Sequence, residues 1–281
     1  MSLGEMLVGM GSAAVTILFL YRWYRYILGG ISAVKRNIPI RVALGLLPPA
    51  ALLVIAGALD LFAAFDVIDG WIFFYLLLGL AWLCCGLMLM FAFFDLSWLD
   101  DALERRNPAA ALALLGGGFG VTLIYSGANV GDGPGWWCVV FAGGLGLIAW
   151  LLLGILAERV NGVFRRITVE RDVFCGIRTG CFLLASGLIL ARACAGDWTS
   201  FVQTVVEFAD GWPVLLLAAL FLGAERLFLR MDALAPENRR NLLLLSAALG
   251  ILFVGGAVLA LFLLPPLPQN PIYDTDWSSL W

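Results

Sequence analysis

The sequence contains no histidine among its 281 residues. This absence excludes zinc sites with histidine ligands, histidine-ligated haem, Ser-His-Asp catalysis and histidine proton relays. Six cysteines are present, but none form a CxxC pattern. Because cysteines in apolar runs mostly behave as small buried hydrophobes, we predict neither a metal nor a cofactor. A redox or metal role for the adjacent Cys84 and Cys85 is the alternative, and no partner motif accompanies it.

Charged residues are also scarce, at 13% of the chain, whereas 62% of the residues are hydrophobic. Soluble domains contain about 25% charged residues. A chain with so few charges cannot cover the surface of a water-soluble globule. We therefore predict an all-α, polytopic membrane helix bundle.

Eight apolar runs predict about eight membrane-spanning helices. They cover residues 6–21, 40–60, 71–94, 108–131, 136–157, 173–195, 212–230 and 242–264. The third run has 24 residues without a charge, and about 20 suffice to cross the hydrocarbon core. Between the runs, 95–104 and 197–210 predict short interfacial helices, the first with Leu96, Leu99 and Leu103 on one face and Asp101 on the wet face.

Four triplets divide the chain at regular intervals: KRN at 35–37, RRN at 105–107, ERD at 170–172 and RRN at 239–241. Their last residues are 70, 65 and 69 positions apart, which predicts a unit copied four times. The predicted units are two-helix hairpins at 3–69, 70–133, 134–210 and 211–266, within one membrane domain, 1–266. Hairpins of equal orientation are expected to be related by rotation about the membrane normal. Residues 267–281 form a predicted extended tail.

The triplets are interpreted as helix starts. Asn and Asp side chains accept backbone N–H bonds that the first turn leaves open, which predicts caps at Asn37, Asn107, Asp172 and Asn241. The preceding arginines are predicted to anchor the helices at the headgroups: Arg36, Arg106, Arg171 and Arg240. The alternative is a ring of four arginines that attracts anions or a partner.

Glycines recur eight or nine residues after each triplet. Small residues let membrane helices approach closely, which predicts helix packing at Gly45, Gly116, Gly120, Gly180 and Gly250. A glycine-lined pore is the alternative interpretation. Elsewhere, Arg178 and Glu225 are predicted to lie at similar depth and to form an ion pair between two spans.

The basic residues indicate the orientation of the chain. Sixteen of the seventeen belong to alternate loops and their flanks, and only Arg192 lies on the other side. The positive-inside rule then places both termini outside the cytoplasm. The outer tail carries three aromatic residues that predict a partner contact: Tyr273, Trp277 and Trp281.

Two stretches resemble the DUF350 family (also called UPF0719) of uncharacterised bacterial inner-membrane proteins. They are RNPAAALALLGGGFGVTLIYSGA at 106–128 and RDVFCGIRTGCFLLASGLILARACAGD at 171–197, where Asp172 stands in place of the family's usual Asn. The resemblance covers about residues 71–198, and the outer hairpins look like divergent copies. It implies an integral inner-membrane protein, encoded near envelope-stress genes, and carries over no catalytic residue.

We therefore expect a structural or interaction subunit of a membrane or envelope assembly. The expected partners are the lipid bilayer, other membrane or periplasmic proteins and a second copy of the chain, but no nucleic acid. A small-ion or solute channel or transporter is the alternative. An enzyme is not expected, because the only carboxylate cluster lies on the wet face of the predicted interfacial helix at 95–104.

Overall fold

The computed structural model describes residues 2–29, 38–64, 67–234 and 239–273. In these residues the chain is helical, and its only bridge pairs Ala63 with Gly131. The α-helices are α1 (Leu3–Leu28), α2 (Ile38–Phe62), α3 (Ile72–Phe94), α4 (Pro108–Gly127), α5 (Trp136–Asn161), α6 (Val163–Thr168), α7 (Val173–Ala193), α8 (Phe201–Phe208), α9 (Pro213–Leu234) and α10 (Arg239–Leu263). Short π-helices cover Val67–Trp71 and Trp98–Glu104, and a 3-10 turn covers Ala209–Gly211.

Seven of these helices are long and apolar enough to cross a membrane. The count reaches eight when the segment Phe201–Gly211 and the helix after it are taken as one span, bent by 41°. The predicted interfacial helix at 197–210 is therefore a real helix, α8, attached at an angle to α9. Phe201, Val202 and Val206 are exposed on α8, as expected of a helix that lies against lipid.

The helices form two rows, and within each row every helix packs against the next helix of that row in chain order. One row consists of α2, α4, α7 and α10, each packed on the next, and a second row consists of α1, α3, α5 and α9. The two helices of each predicted hairpin also touch across the rows. The rotational relation between four copied hairpins stays a prediction.

The tightest contact joins α4 and α7, where the backbones meet through glycine. A Cβ atom on Gly116 would overlap the carbonyl of Gly180, and one on Gly180 would lie 2.6 Å from the Leu112 oxygen. On Gly120, a Cβ would lie 2.5 Å from the Leu183 oxygen. These three glycines therefore set the distance between the two central helices.

The other two glycines that the sequence singles out differ from these. A Cβ on Gly250 would lie 2.7 Å from the Cys181 sulfur, which places Gly250 in the contact between α10 and α7. A Cβ on Gly45 would lie 3.5 Å from Ile27, an ordinary van der Waals distance. Close packing therefore does not require a glycine at position 45.

Aromatic side chains join neighbouring helices through polar bonds. The Trp23 indole donates to the Leu44 carbonyl at 3.1 Å, and the Trp150 indole donates to the Leu183 carbonyl at 2.8 Å. The buried Tyr125 hydroxyl donates to a carbonyl of α3 at 2.7 Å. In the apolar interior these donors have no water to bond. Each bond therefore also favours one particular neighbouring helix, the one that supplies the carbonyl.

Candidate functional site: a buried charge network

Two chain reversals at one end of the bundle position the site; we call this end the elbow end. Residues 95–107 form the first elbow and 162–172 the second. In the first elbow, the backbone N–H of Asn107 donates to the backbone carbonyl of Asp101, six residues earlier. In the second elbow, the backbone N–H of Asp172 donates to the backbone carbonyl of Arg166, also six residues earlier. The two elbows therefore share a local backbone pattern.

The residues that end the two elbows cap the following helices. The Asn107 side chain accepts from the N–H groups of Ala109 and Ala110 at 3.0 and 3.3 Å. The Asp172 carboxylate does the same for α7, with both distances 3.0 Å. Both preceding arginines, Arg106 and Arg171, are exposed and adopt positive φ values of 54° and 57°.

The fourth triplet behaves differently from these two. Helix α10 begins at Arg239, so Asn241 lies inside the helix and does not have the capping position that the sequence predicts. The motif is misleading there because a favourable capping residue does not prevent a helix from starting earlier. Arg240 is exposed, and the first triplet's Arg36 and Asn37 lie outside the described residues.

The first elbow also corrects a detail of the interfacial helix. Leu96 and Leu103 are buried, as the predicted apolar face requires, but Asp101 is buried as well. Its carboxylate accepts from the Ser97 N–H at 2.9 Å and pairs with Arg105 at 3.0 Å. Asp101 is therefore not part of the solvent-exposed face that the sequence predicts for this segment. Its carboxylate faces the turn of its own elbow.

Replacing Asn107 with alanine is expected to destabilise the protein by about 0.5–2 kcal/mol, because the start of α4 loses its cap. The loss is expected in the upper part of that range, since the buried Asn107 amide also donates to the Ile167 carbonyl at 2.7 Å and links the two elbows. Denaturation of the purified protein in detergent measures the effect. Asn241→Ala is the matched control and should be nearly neutral; equal losses would contradict the assigned caps.

Glu225 lies at the centre of the site. Its side chain on α9 is fully buried and is bound by two arginines from the neighbouring segments. Arg178 on α7 engages both carboxylate oxygens, with Nε on Oε1 and Nη2 on Oε2, the latter at 2.9 Å. Arg166 on α6 donates to Oε2 at 2.7 Å. The structure thus places Arg178 and Glu225 in direct contact and adds Arg166 to them.

The two arginines are bound at their other ends as well. Arg166 Nη2 lies 2.6 Å from the Asp172 carboxylate, the capping group of α7. Arg178 Nη1 donates to the buried Ser246 hydroxyl on α10 at 2.6 Å, and its guanidinium carbon lies 3.9 Å from the Phe228 ring centre. Two positive and two negative groups form one neutral network that ties α6, α7, α9 and α10 together.

The sequence pattern does not identify Arg166 as a site residue, although one signal is present. The equivalent position of the first elbow is Asp101, six residues before a neutral Asn107. In the second elbow a basic residue occupies this position and an acidic one, Asp172, is the cap. At the matched positions one charge is thus reversed and the other is new, and this gain of an Arg and an Asp together is the signal that points to an ion pair in this elbow.

A recess opens at the other end of the bundle, which we call the loop end. It has a volume of about 270 Å³ and is formed by the loops 128–135 and 193–198, with α8 along one side. Four acidic residues contribute to its wall: Glu5, Asp132, Asp197 and Glu207. Three tryptophans contribute as well: Trp71, Trp136 and Trp198. Such a surface is suited to a cationic or aromatic group.

The first part of the tail is folded against these loops. Leu267 is buried, and the Asp197 N–H donates to the Pro268 carbonyl at 3.0 Å. Asn270 donates two further hydrogen bonds to this loop. Its backbone N–H donates to the Asp197 carboxylate, and its side-chain amide donates to the Trp198 carbonyl at 2.8 Å. The predicted extended tail is therefore docked as far as Asn270. Tyr273 is partly buried, whereas Trp277 and Trp281 lie outside the described residues.

The described part of the chain contains no group of three Cys, Asp or Glu side chains placed to hold a metal ion. The helices and the network define the class: a multi-pass membrane protein of α-helices with a buried, neutral charge network. Residues 59–193, just under half of the chain, match the family described as Domain of Unknown Function (DUF350). No curated protein and no solved structure matches the chain.

Proposed function

We propose that this protein is a structural or interaction subunit of a membrane or envelope assembly in the bacterial inner membrane, with both termini outside the cytoplasm. The observation that carries the proposal is that the buried charges bind one another. Glu225, Arg166, Arg178 and Asp172 neutralise each other within hydrogen-bonding distance. Charged side chains inside membrane spans pair with one another or mark ion pathways, and the mutual contacts of these four groups support a structural role.

The contact between the central helices supports the same proposal. At Gly116, Gly120 and Gly180 the backbones of α4 and α7 approach each other without intervening side chains. Such contact favours rigid packing and leaves no width for a glycine-lined pore between these two helices. A rigid bundle is suited to holding other proteins at a defined position in the membrane.

The recess at the loop end is the proposed partner surface. Its acidic and tryptophan-rich wall adjoins the docked tail, because Asn270 is hydrogen-bonded to Asp197 and Trp198, which both line the recess. Tryptophan is enriched among residues that dominate binding energies, and carboxylates select basic partners. The proposed partner is a membrane or periplasmic protein that presents basic side chains.

Cross-linking and purification of the full chain from native membranes tests the proposal. Glu207→Lys, which reverses a charge in the recess, is expected to lower recovery of partner proteins by about tenfold. Asp60→Lys is the matched control, because Asp60 is exposed near the same end but does not line the recess. Undiminished recovery with Glu207→Lys and with a chain ending at Tyr273 would contradict the assigned surface.

A small-ion or solute channel or transporter is the second candidate, favoured by ionisable residues inside the spans. Ion flux into proteoliposomes distinguishes the two functions. The subunit proposal predicts flux equal to that of protein-free vesicles. Flux that requires the protein and disappears in Glu225→Gln would establish transport and overturn the proposal.

A further inference from the structure

The charge network lies at a boundary within the chain. Arg166, Asp172 and Arg178 belong to the DUF350 segment, 59–193, whereas Glu225 and Ser246 belong to the hairpin of α9 and α10 that follows it. All the ion pairs of Glu225 cross this boundary. The network therefore connects a family domain with a hairpin outside the matched segment.

Apolar contacts also connect the two parts. The rings of Phe182 on α7 and Phe221 on α9 stack with centres 4.2 Å apart, and Gly250 of α10 meets Cys181 of α7. In a bilayer, however, apolar contact between helices gains little, because lipid tails are as apolar as the side chains they would replace. Polar bonds are the contacts that lipid cannot replace.

We propose that Arg166 and Arg178 form an intramembrane acceptor site for a carboxylate, and that Glu225 holds the C-terminal hairpin on the DUF350 domain by entering it. The two guanidinium groups converge on one carboxylate, with Arg166 oriented by Asp172 and Arg178 by Ser246. Without Glu225, the Arg178 guanidinium would have no carboxylate at a position where its side chain is 1% exposed, which is costly. The α7 face is thus a docking surface for a membrane helix that carries an acidic residue.

Two engineered disulfides in the full-length chain can report on docking and on the domain separately. A Cβ on Gly250 would lie 2.7 Å from the Cys181 sulfur, so Gly250→Cys is expected to cross-link α10 to α7. A Cβ on Gly146 would lie at the same distance, 2.7 Å, from the Cys194 sulfur and 2.8 Å from Ile124 Cγ2. With a small shift of the Ile124 side chain, Gly146→Cys is expected to cross-link α5 to Cys194, the residue that follows α7. Peptide mass spectrometry after mild oxidation identifies each pair despite the other cysteines.

Glu225→Gln is expected to lower the rate of the 250–181 cross-link by about tenfold, the effect of losing charged bonds between membrane helices. The 146–194 cross-link is expected to form at the rate seen without the Glu225 substitution, because neither cysteine belongs to the C-terminal hairpin. Glu225→Asp keeps the charge on a shorter side chain and is expected to retain more of the 250–181 cross-link than Glu225→Gln.

Three results would overturn the proposal. An unchanged 250–181 cross-link in Glu225→Gln would show that the hairpin docks without the carboxylate. Equal loss of both cross-links would show that Glu225 stabilises the whole bundle and has no specific docking role. Equal behaviour of Glu225→Asp and Glu225→Gln would show that the negative charge is not what the two arginines bind.

Discussion

Glu225→Ala is expected to lower the stability of the protein by about 3–5 kcal/mol, the largest effect of any single substitution in the charge network. The variant leaves Arg178 without a carboxylate in an environment where its side chain is 1% exposed. It also removes one of the two carboxylates that bind Arg166. Removing one member of a buried ion pair is costly because the remaining charge has lost its water and gained no substitute.

Unfolding of the purified protein by a denaturing detergent, followed by circular dichroism, measures this loss. Asp60→Ala is the matched control, since its carboxylate is exposed on α2 and surface substitutions change stability by less than about 0.5 kcal/mol. A loss for Glu225→Ala no larger than that of Asp60→Ala would contradict the burial of the network.

A double variant separates the cost of an unpaired charge from the value of the pair. Arg178→Met combined with Glu225→Met removes both charges, while Arg166 retains Asp172 at 2.6 Å. This variant is expected to be more stable than Glu225→Ala, because apolar side chains of similar size can replace a buried ion pair at little cost. Additive losses of the two single substitutions would indicate that Arg178 and Glu225 do not interact.

Gly180→Leu is expected to cost at least about 3 kcal/mol, because the new side chain must separate two backbones that are in contact. A Cβ alone would lie 2.6 Å from the Leu112 carbonyl, and three further carbons would follow it into α4. The expected result is loss of the folded monomer from detergent extracts, measured by size-exclusion chromatography with fluorescence detection.

Gly144→Leu provides the control for this experiment. Gly144 is also in the DUF350 segment, but a Cβ there would meet nothing within 4 Å. The expected elution profile is therefore that of the parent chain. If Gly144→Leu is as damaging as Gly180→Leu, the effect arises from helix insertion or expression and says nothing about the contact of α4 with α7.

Several elements could be predicted because their causes are local. The spans follow from apolar runs long enough to cross hydrocarbon, and all seven predicted spans outside 212–230 begin within three residues of a helix start. The caps at Asn107 and Asp172 follow from side chains that accept from the N–H groups two and three residues ahead. Asn241 shows the limit, because tertiary contacts of α10 can extend a helix beyond a favourable cap.

By itself the sequence determined the class of the protein, its membrane-spanning runs, the two elbow caps and the proposal that Arg178 meets Glu225. The first three depend on composition and on neighbours along the chain, whereas the meeting of Arg178 with Glu225, 47 residues apart, was inferred from their similar depth in two successive spans. Only the tertiary structure decided that Arg166 and Ser246 complete the network and that the tail folds onto Asp197. The physical reason is distance along the chain: Arg166 meets Glu225 across 59 residues, and Arg178 meets Ser246 across 68. Which groups meet depends on the faces that packing brings together, and no local pattern records those faces.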